Sequence, residues 1–275
     1  MGVLYVVATP IGNLEDLSPR ARRILSEVSL IAAEDTRHTG SMLRRMGIAT
    51  PLLSNHGFNE RARVARLIEA LESGDVALVS DAGTPAVSDP GAIVVRAAAE
   101  AGFLVVPIPG PSAVTAAVSA SGLVDGPFLF LGFLPRSAGG RTKTLETALK
   151  SGTPLVIYES GNRVEQLSSL LESFAPDRGV VVFRELTKLH EQAIRGTASE
   201  LPGLLSDATI KGEFVVVVGP GVEQEEIDLD QLIMRELASG RKGSEIARDL
   251  ARKANLPRSD VYNRILALTK ADQGA

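Results

Sequence analysis

The chain has 275 residues, 44% apolar and 23% charged, with a net charge of −4 and no cysteine. Such a length holds one large domain, or two compact ones with a small appendage. The missing cysteines exclude disulfides, zinc–thiolate and iron–sulfur centres and every thiol nucleophile.

The three histidines, His38, His56 and His190, are too scattered for a metal site, so no metal is expected. Aromatic residues make up 4% and tryptophan is absent, which counts against stacking nucleic-acid bases on an aromatic platform. No apolar run reaches bilayer length, and the opening MGVLYVVATPIG lacks the basic start of a secretory signal. A cytoplasmic protein with no membrane partner is expected.

Short β-branched runs at residues 4–7, 76–79 and 104–108 predict strands. Helical stretches, such as 61–72 and 93–101, separate them. Strands buried on both faces and joined by helices imply a mainly parallel sheet. Residues 119–127, with Gly122, Asp125, Gly126 and Pro127, predict the joint to a second set of strands at 128–131, 155–158, 180–184 and 214–218. The expected domains are therefore an N-terminal α/β domain over 1–120 and a C-terminal α/β domain over 121–226. Between the first two strands of the second set, Gly139 and Gly140 in the segment 135–143 predict a mobile loop at the mouth of a site.

The segment 227–275 reads as helices only. Ile246, Ala247, Leu250 and Ala251 form one apolar stripe, with Ser244 expected as the N-cap. Residues 255–258 predict a turn, and Ser259 and Asp260 open a second helix. This is a helix-turn-helix pattern, or else a small helical cap on the main body. Between Arg241 and Arg264, seven Lys or Arg face three acids, on a chain that is acidic overall. Such asymmetry suggests an acidic enzyme with a basic accessory element.

No GxGxxG or Walker A pattern follows the first strand. Three turn-rich segments stand after strands instead: Ala8-Thr9-Pro10-Ile11-Gly12-Asn13, the stretch from Ser80 to Gly91, and Pro109-Gly110-Pro111-Ser112-Ala113. Loops at the carboxyl ends of parallel strands converge on one crevice, and small residues there let a ligand approach the backbone.

Taken together, ATPIGNLEDL, AEDTRHT, VSDAGTPAVSDPG, PIPGPSA, FLGFLPR, VIYESGNR, RELTKLHE and KGEFVVVVG resemble the ribosomal RNA small subunit methyltransferase I family. That family lies within the tetrapyrrole-methylase superfamily. The resemblance implies the class III methyltransferase fold: α/β, two domains with parallel or mixed sheets, plus the C-terminal helices. It also implies S-adenosylmethionine as cofactor, methylation of the ribose 2′-oxygen of a decoding-site cytidine in the 16S rRNA of the small ribosomal subunit, and a homodimer. Cofactor contacts carry over to Pro10, to Asp81, Ala82, Gly83, Thr84 and Val87, to Ser112 and Ala113, and to Glu159, Leu186 and Phe214.

A ribose hydroxyl is a weak nucleophile at neutral pH, so a nearby carboxylate or basic group should help it. Glu34, Asp35 and Arg37, in the motif AEDTRHT, are expected nearest the acceptor. Arg136, Arg141, Lys143 and Arg163, with Arg241, Lys242, Arg252, Lys253 and Arg258, are candidates for phosphate contacts. The first turn departs from the Gly-Pro-Gly-Asp pattern of the tetrapyrrole enzymes, which counts against a tetrapyrrole substrate. Two alternatives stay open: a tetrapyrrole methyltransferase of the same fold, and a nucleotide-binding regulator that reads DNA.

Overall fold

Val76–Val79 (β4) is buried along its whole length, as a central parallel strand requires. In the computed structural model, which describes residues 2–206, 211–221, 229–254 and 256–272, β4 lies at the centre of a five-stranded sheet. Its other strands are Val3–Val7 (β1), Leu30–Ala33 (β2), Leu52–Ser54 (β3) and Leu104–Ile108 (β5). The order is β3-β2-β4-β1-β5, and every pairing is parallel. Helices Pro19–Glu27 (α1) and Thr36–Arg45 (α2) cover one face through Ile24, Leu25, Met42 and Leu43. Helices Glu60–Ser73 (α3) and Ala92–Glu100 (α4) cover the other through Leu67, Leu71, Val94 and Ala98.

A second, mixed sheet follows, built from Leu129–Phe133 (β6), Leu155–Ser160 (β7), Gly179–Arg184 (β8), Gln192–Thr197 (β9) and Glu213–Val218 (β10). Its order is β6-β7-β10-β8-β9; only β6 and β7 run parallel. The helix Ala113–Ser121 (α5) precedes it in sequence, yet Val114 and Ala117 pack on this sheet, against Val156, Phe183 and Val215. α5 therefore crosses the boundary expected at 120. Ala138–Lys150 (α6), Gly161–Phe174 (α7) and Leu201–Ser206 (α8) cover the opposite face.

Residues 1–223 form one compact unit and 224–275 another. Within the second, Leu229–Ala238 (α9), Gly243–Ala254 (α10) and Arg258–Asp272 (α11) enclose Ile233, Ile246, Leu250, Val261 and Ile265.

Two local expectations are corrected. The predicted mobile loop at 135–143 is helical from Ala138 onward, because its glycines sit in the first turn of α6. Ser244 is not the N-cap of α10: the amides of Glu245 and Ile246 donate to the Lys242 carbonyl, one turn earlier.

The N-terminus of α4 receives its cap from another helix. Gly91 precedes α4 and has no side chain to offer, so the buried Glu60 of α3 reaches across. Its Oε1 accepts from the amides of Gly91, Ile93 and Val94 at 2.9, 3.0 and 3.3 Å. A carboxylate there satisfies orphan donors and complements the helix dipole. Glu60→Ala strands these amides and should lower stability by about 2–3 kcal/mol in urea denaturation, with Glu60→Gln losing less.

Candidate active site

Parallel register brings the carboxyl ends of the first sheet into one row. Val7 pairs with Ile108, and Ala33 with both Ser54 and Val79. The loops that follow are cross-linked. Thr9 and Gly83 exchange backbone hydrogen bonds of 2.9 and 3.0 Å, joining the first turn to the second. The Thr84 hydroxyl donates to the Pro111 carbonyl at 3.3 Å, joining the second to the third. The Asp35 amide donates to Asp81 Oδ1 at 2.9 Å, tying in the end of β2. Gly83 has φ +82, and a Cβ on Gly110 would lie 3.0 Å from Ala8 Cβ, so glycine suits both positions.

The second sheet presents its own edge to these turns. Because β10 is antiparallel to β7 and β8, Phe214 stands beside Glu159 and Arg184, where one strand starts and two end. Between the two edges lies a cavity of about 350 Å³. Its lining includes Glu34, Asp81, Ala82, Gly83, Thr84, Val87, Ser112 and Ala113 from the first half, and Glu159, Leu186 and Phe214 from the second. Among the described residues, the only non-glycine residues with positive φ are Ala86, Ser88, Glu185 and Thr187, all in the two loops that border the cavity. Strain of this kind gathers where surrounding contacts fix a working geometry.

The cavity is acidic. Burial and the neighbouring Glu34 push the Asp89 carboxyl up to about 6, and burial raises Glu34 as well. Burial also pushes the Tyr158 phenol up to about 12. The Lys188 ammonium lies 3.0 Å from Glu185 Oε1 and 2.8 Å from Glu213 Oε2. Burial works against its charge, but the two carboxylates outweigh that and raise its pKa. Glu159 is buried, accepts from the Ser160 amide at 2.9 Å, and pairs with Arg163 at 3.2 Å.

The cavity thus gathers Glu34 and ten of the residues expected to hold the cofactor; Pro10, the eleventh, lines an adjoining cleft. Asp35 and Arg37 line neither. The Asp35 carboxylate caps α2 and clamps Arg37 at 2.8 Å, which holds the acid well below its usual range, while Arg37 stays 90% exposed.

Of the phosphate candidates, Arg136 and Lys143 are exposed, but Arg141 is buried in α6. Arg163 is committed to Glu159 and to the carbonyls of Leu134 and Pro135 at 2.8 and 3.2 Å. In the helical unit Arg241 is held by Glu236 and Asp249, whereas Lys242 and Arg258 are exposed. Arg252 and Lys253 belong to α10, but their side chains lie outside the described residues.

The sequence reading missed Ile11, Asp89, Phe133, Tyr158, Ser160, Lys188 and Val215 as lining residues. Asp89, Tyr158 and Lys188 stood inside quoted motifs, and that membership was the available signal.

The profile of the family described as Tetrapyrrole (Corrin/Porphyrin) Methylases matches residues 3–202. Among solved structures, the methyltransferase CobJ superposes with a TM-score of 0.59 at 20% identity, covering 80% of this chain and 95% of that one. The uroporphyrin-III-C-methyltransferase from Thermus thermophilus gives 0.55 at 23%, covering 80% and 94%. These two likenesses show the fold, and the profile match places the chain in the class of tetrapyrrole methylases.

Sequence relatives go further. The ribosomal RNA small subunit methyltransferase I of a Synechocystis species is 41% identical over 98% of this chain and 99% of its own length. That of Xylella fastidiosa is 44% identical over 95% and 98%. The chain belongs to the ribosomal RNA small subunit methyltransferase I family, within the tetrapyrrole methylases. The Synechocystis match, at 98% of the chain, takes in the C-terminal helices, whereas the two solved structures cover 80% of it.

Asp89 makes the site pH-sensitive. Its carboxyl binds a proton more tightly in the fold than in the unfolded chain. This stability is therefore complete below pH 4 and is lost as pH rises through about 6. Asp89→Asn should remove that decline and be the more stable protein at pH 8, as urea midpoints at pH 5 and pH 8 will register.

Proposed function

We propose that this chain transfers a methyl group from S-adenosylmethionine to the ribose 2′-oxygen of a cytidine in 16S rRNA, without a metal. One observation carries the reading: an acidic cavity walled by glycine-bearing turns, in a member of an rRNA methyltransferase family. When bound, S-adenosylmethionine supplies an electrophilic methyl group on a sulfonium. The chain's own work is then to bind, align and exclude water.

The residues present fit that cofactor. Asp81, Asp89, Glu34 and Glu159 give a cation its counter-charge. Gly83 and Gly110 open the backbone, and Ser112 and Thr84 bring polar groups to the wall. Leu186, Phe214 and Val87 supply apolar surface for a flat ring. Asp35 and Arg37 enter as the clamp that fixes the start of α2 next to Glu34. Arg136 and Lys143, with Lys242, Arg252, Lys253 and Arg258, are the proposed phosphate contacts.

The reading includes a homodimer and a cytoplasmic setting. The dimer is supported by exposed apolar residues on or beside the edge strands β5 and β6, namely Leu104, Phe128, Leu129 and Phe133. Among the described residues, no helix is long and apolar enough to cross a membrane.

The test is labelled methyl transfer to small ribosomal subunits in EDTA, followed by mapping of the product. Label on a cytidine ribose is expected; label on a base, or a strict need for a divalent ion, contradicts the reading. Gly83→Val places a β-branched residue at φ +82 and should weaken cofactor binding about tenfold in calorimetry. Replacing Lys242, Arg252, Lys253 and Arg258 with alanine in the full chain should weaken subunit binding and flatten its salt dependence, leaving cofactor affinity unchanged.

A further inference from the structure

Beside the acidic cavity lies a second cleft of about 620 Å³, which adjoins it where Ile11, Asp81, Ala82, Lys188 and Glu213 line both. Its far wall is one face of α2. His38, Ser41, Met42 and Arg45 recur at helical spacing, so all four project along one stripe and line the cleft. Among the described residues, the side chains of His38, Ser41 and Arg45 have no hydrogen-bond or ion-pair partner. On the same helix Arg37 is fully engaged by Asp35. An unpaired guanidinium at a cleft wall is a free anion-binding group.

The cleft is polar in a directed way. Carboxylates Asp81 and Glu213 stand where it adjoins the acidic cavity, and Arg45 and His38 stand on α2. Leu14 and Met42 add apolar surface, with no aromatic residue in the lining.

We infer that this second cleft is the acceptor pocket, which receives one nucleotide unstacked from the RNA. Its ribose lies at the junction with the cavity, beside Asp81, its base lies between Leu14 and Met42, and its phosphate meets Arg45. The inference rests on the function proposed above. A two-substrate transfer needs the acceptor oxygen in direct contact with the donor methyl, and the residues that line both spaces put this cleft next to the cavity. A nucleotide whose ribose is the target must leave the helical stack to enter such a cleft. Aliphatic walls suit a chain poor in aromatics, and an arginine supplies the phosphate contact that fixes orientation.

Two variants test the proposal in the full-length protein. Arg45→Ala removes an exposed charge, and Ser41→Trp fills the cleft from a half-buried position. Both should bind S-adenosylmethionine as the wild type does in calorimetry, which also reports correct folding. For Arg45→Ala, KM for small ribosomal subunits should rise about tenfold or more, and cofactor-free filter binding to subunits should weaken in parallel. Ser41→Trp should abolish transfer. Wild-type KM and subunit affinity in both variants would overturn the inference while leaving the proposed function standing. Failure of the wild type itself to methylate subunits would overturn the proposed function, and this inference with it.

Discussion

The bridge between Thr9 and Gly83 is the constraint on which the site depends. Parallel register delivers the ends of β1 and β4 to the same edge, but two loops leaving adjacent strands would otherwise splay apart. Two backbone hydrogen bonds close them together, and the Thr9 hydroxyl adds a third to the Ser80 carbonyl at 3.1 Å. Gly83 can take its part because it holds φ +82 at no steric cost. Beyond this closure the second turn runs through Ala86 and Ser88 in left-handed conformations, and Glu60 holds its far end at the start of α4. The cavity wall is thus fixed at both ends, with Thr9 and Glu60 outside its lining.

The second half reaches the site by a different route. The loop after β8 leans on the first turn: the Asn13 amide donates to the Thr187 hydroxyl at 3.2 Å, and a Cβ on Gly12 would fall 2.4 Å from the Lys188 side chain. Gly12 is therefore needed for close approach rather than for its own dihedral angles. Glu185, at φ 52, accepts from the Glu213 amide and holds Lys188 as well, so one strained residue sets the start of β10 and the position of an ammonium group where cavity and cleft adjoin.

Much of this was legible in the sequence because its signals are local. Continuous apolar runs marked the central strands, and glycine and proline marked the three turns. The strands β2, β3 and β9 were not legible. Leu30–Ala33 is alanine-rich, Leu52–Ser54 has three residues, and Gln192–Thr197 is an edge strand whose polar residues show little alternation. Arg141 and Arg163 read as free cations, yet one is buried and the other braces Glu159. Charge alone does not tell a phosphate contact from a strut. The expectation for α2 rested on Asp35 and Arg37, which pair with each other; on its cleft-facing stripe Ser41, Met42 and Arg45 carried no motif and emerged only from helical geometry.

The distribution of charge resolves an apparent conflict between an acidic chain and a polyanionic substrate. Coulomb attraction over several ångströms is strong inside a cavity and weak across solvent, where salt screens it within about 8 Å. Carboxylates concentrated at Glu34, Asp81 and Asp89 therefore act on what enters the cavity and little on RNA outside it. Basic groups that stay exposed, such as Arg45, Arg136, Lys143, Lys242 and Arg258, are the ones proposed above to meet phosphates. Other basic groups are tied up by ion pairs within their own unit: Arg163 on Glu159, Arg241 on Glu236 and Asp249, and Arg264 on Asp230. Net charge describes neither partner; what matters is which charges the fold leaves unpaired, and beside which wall.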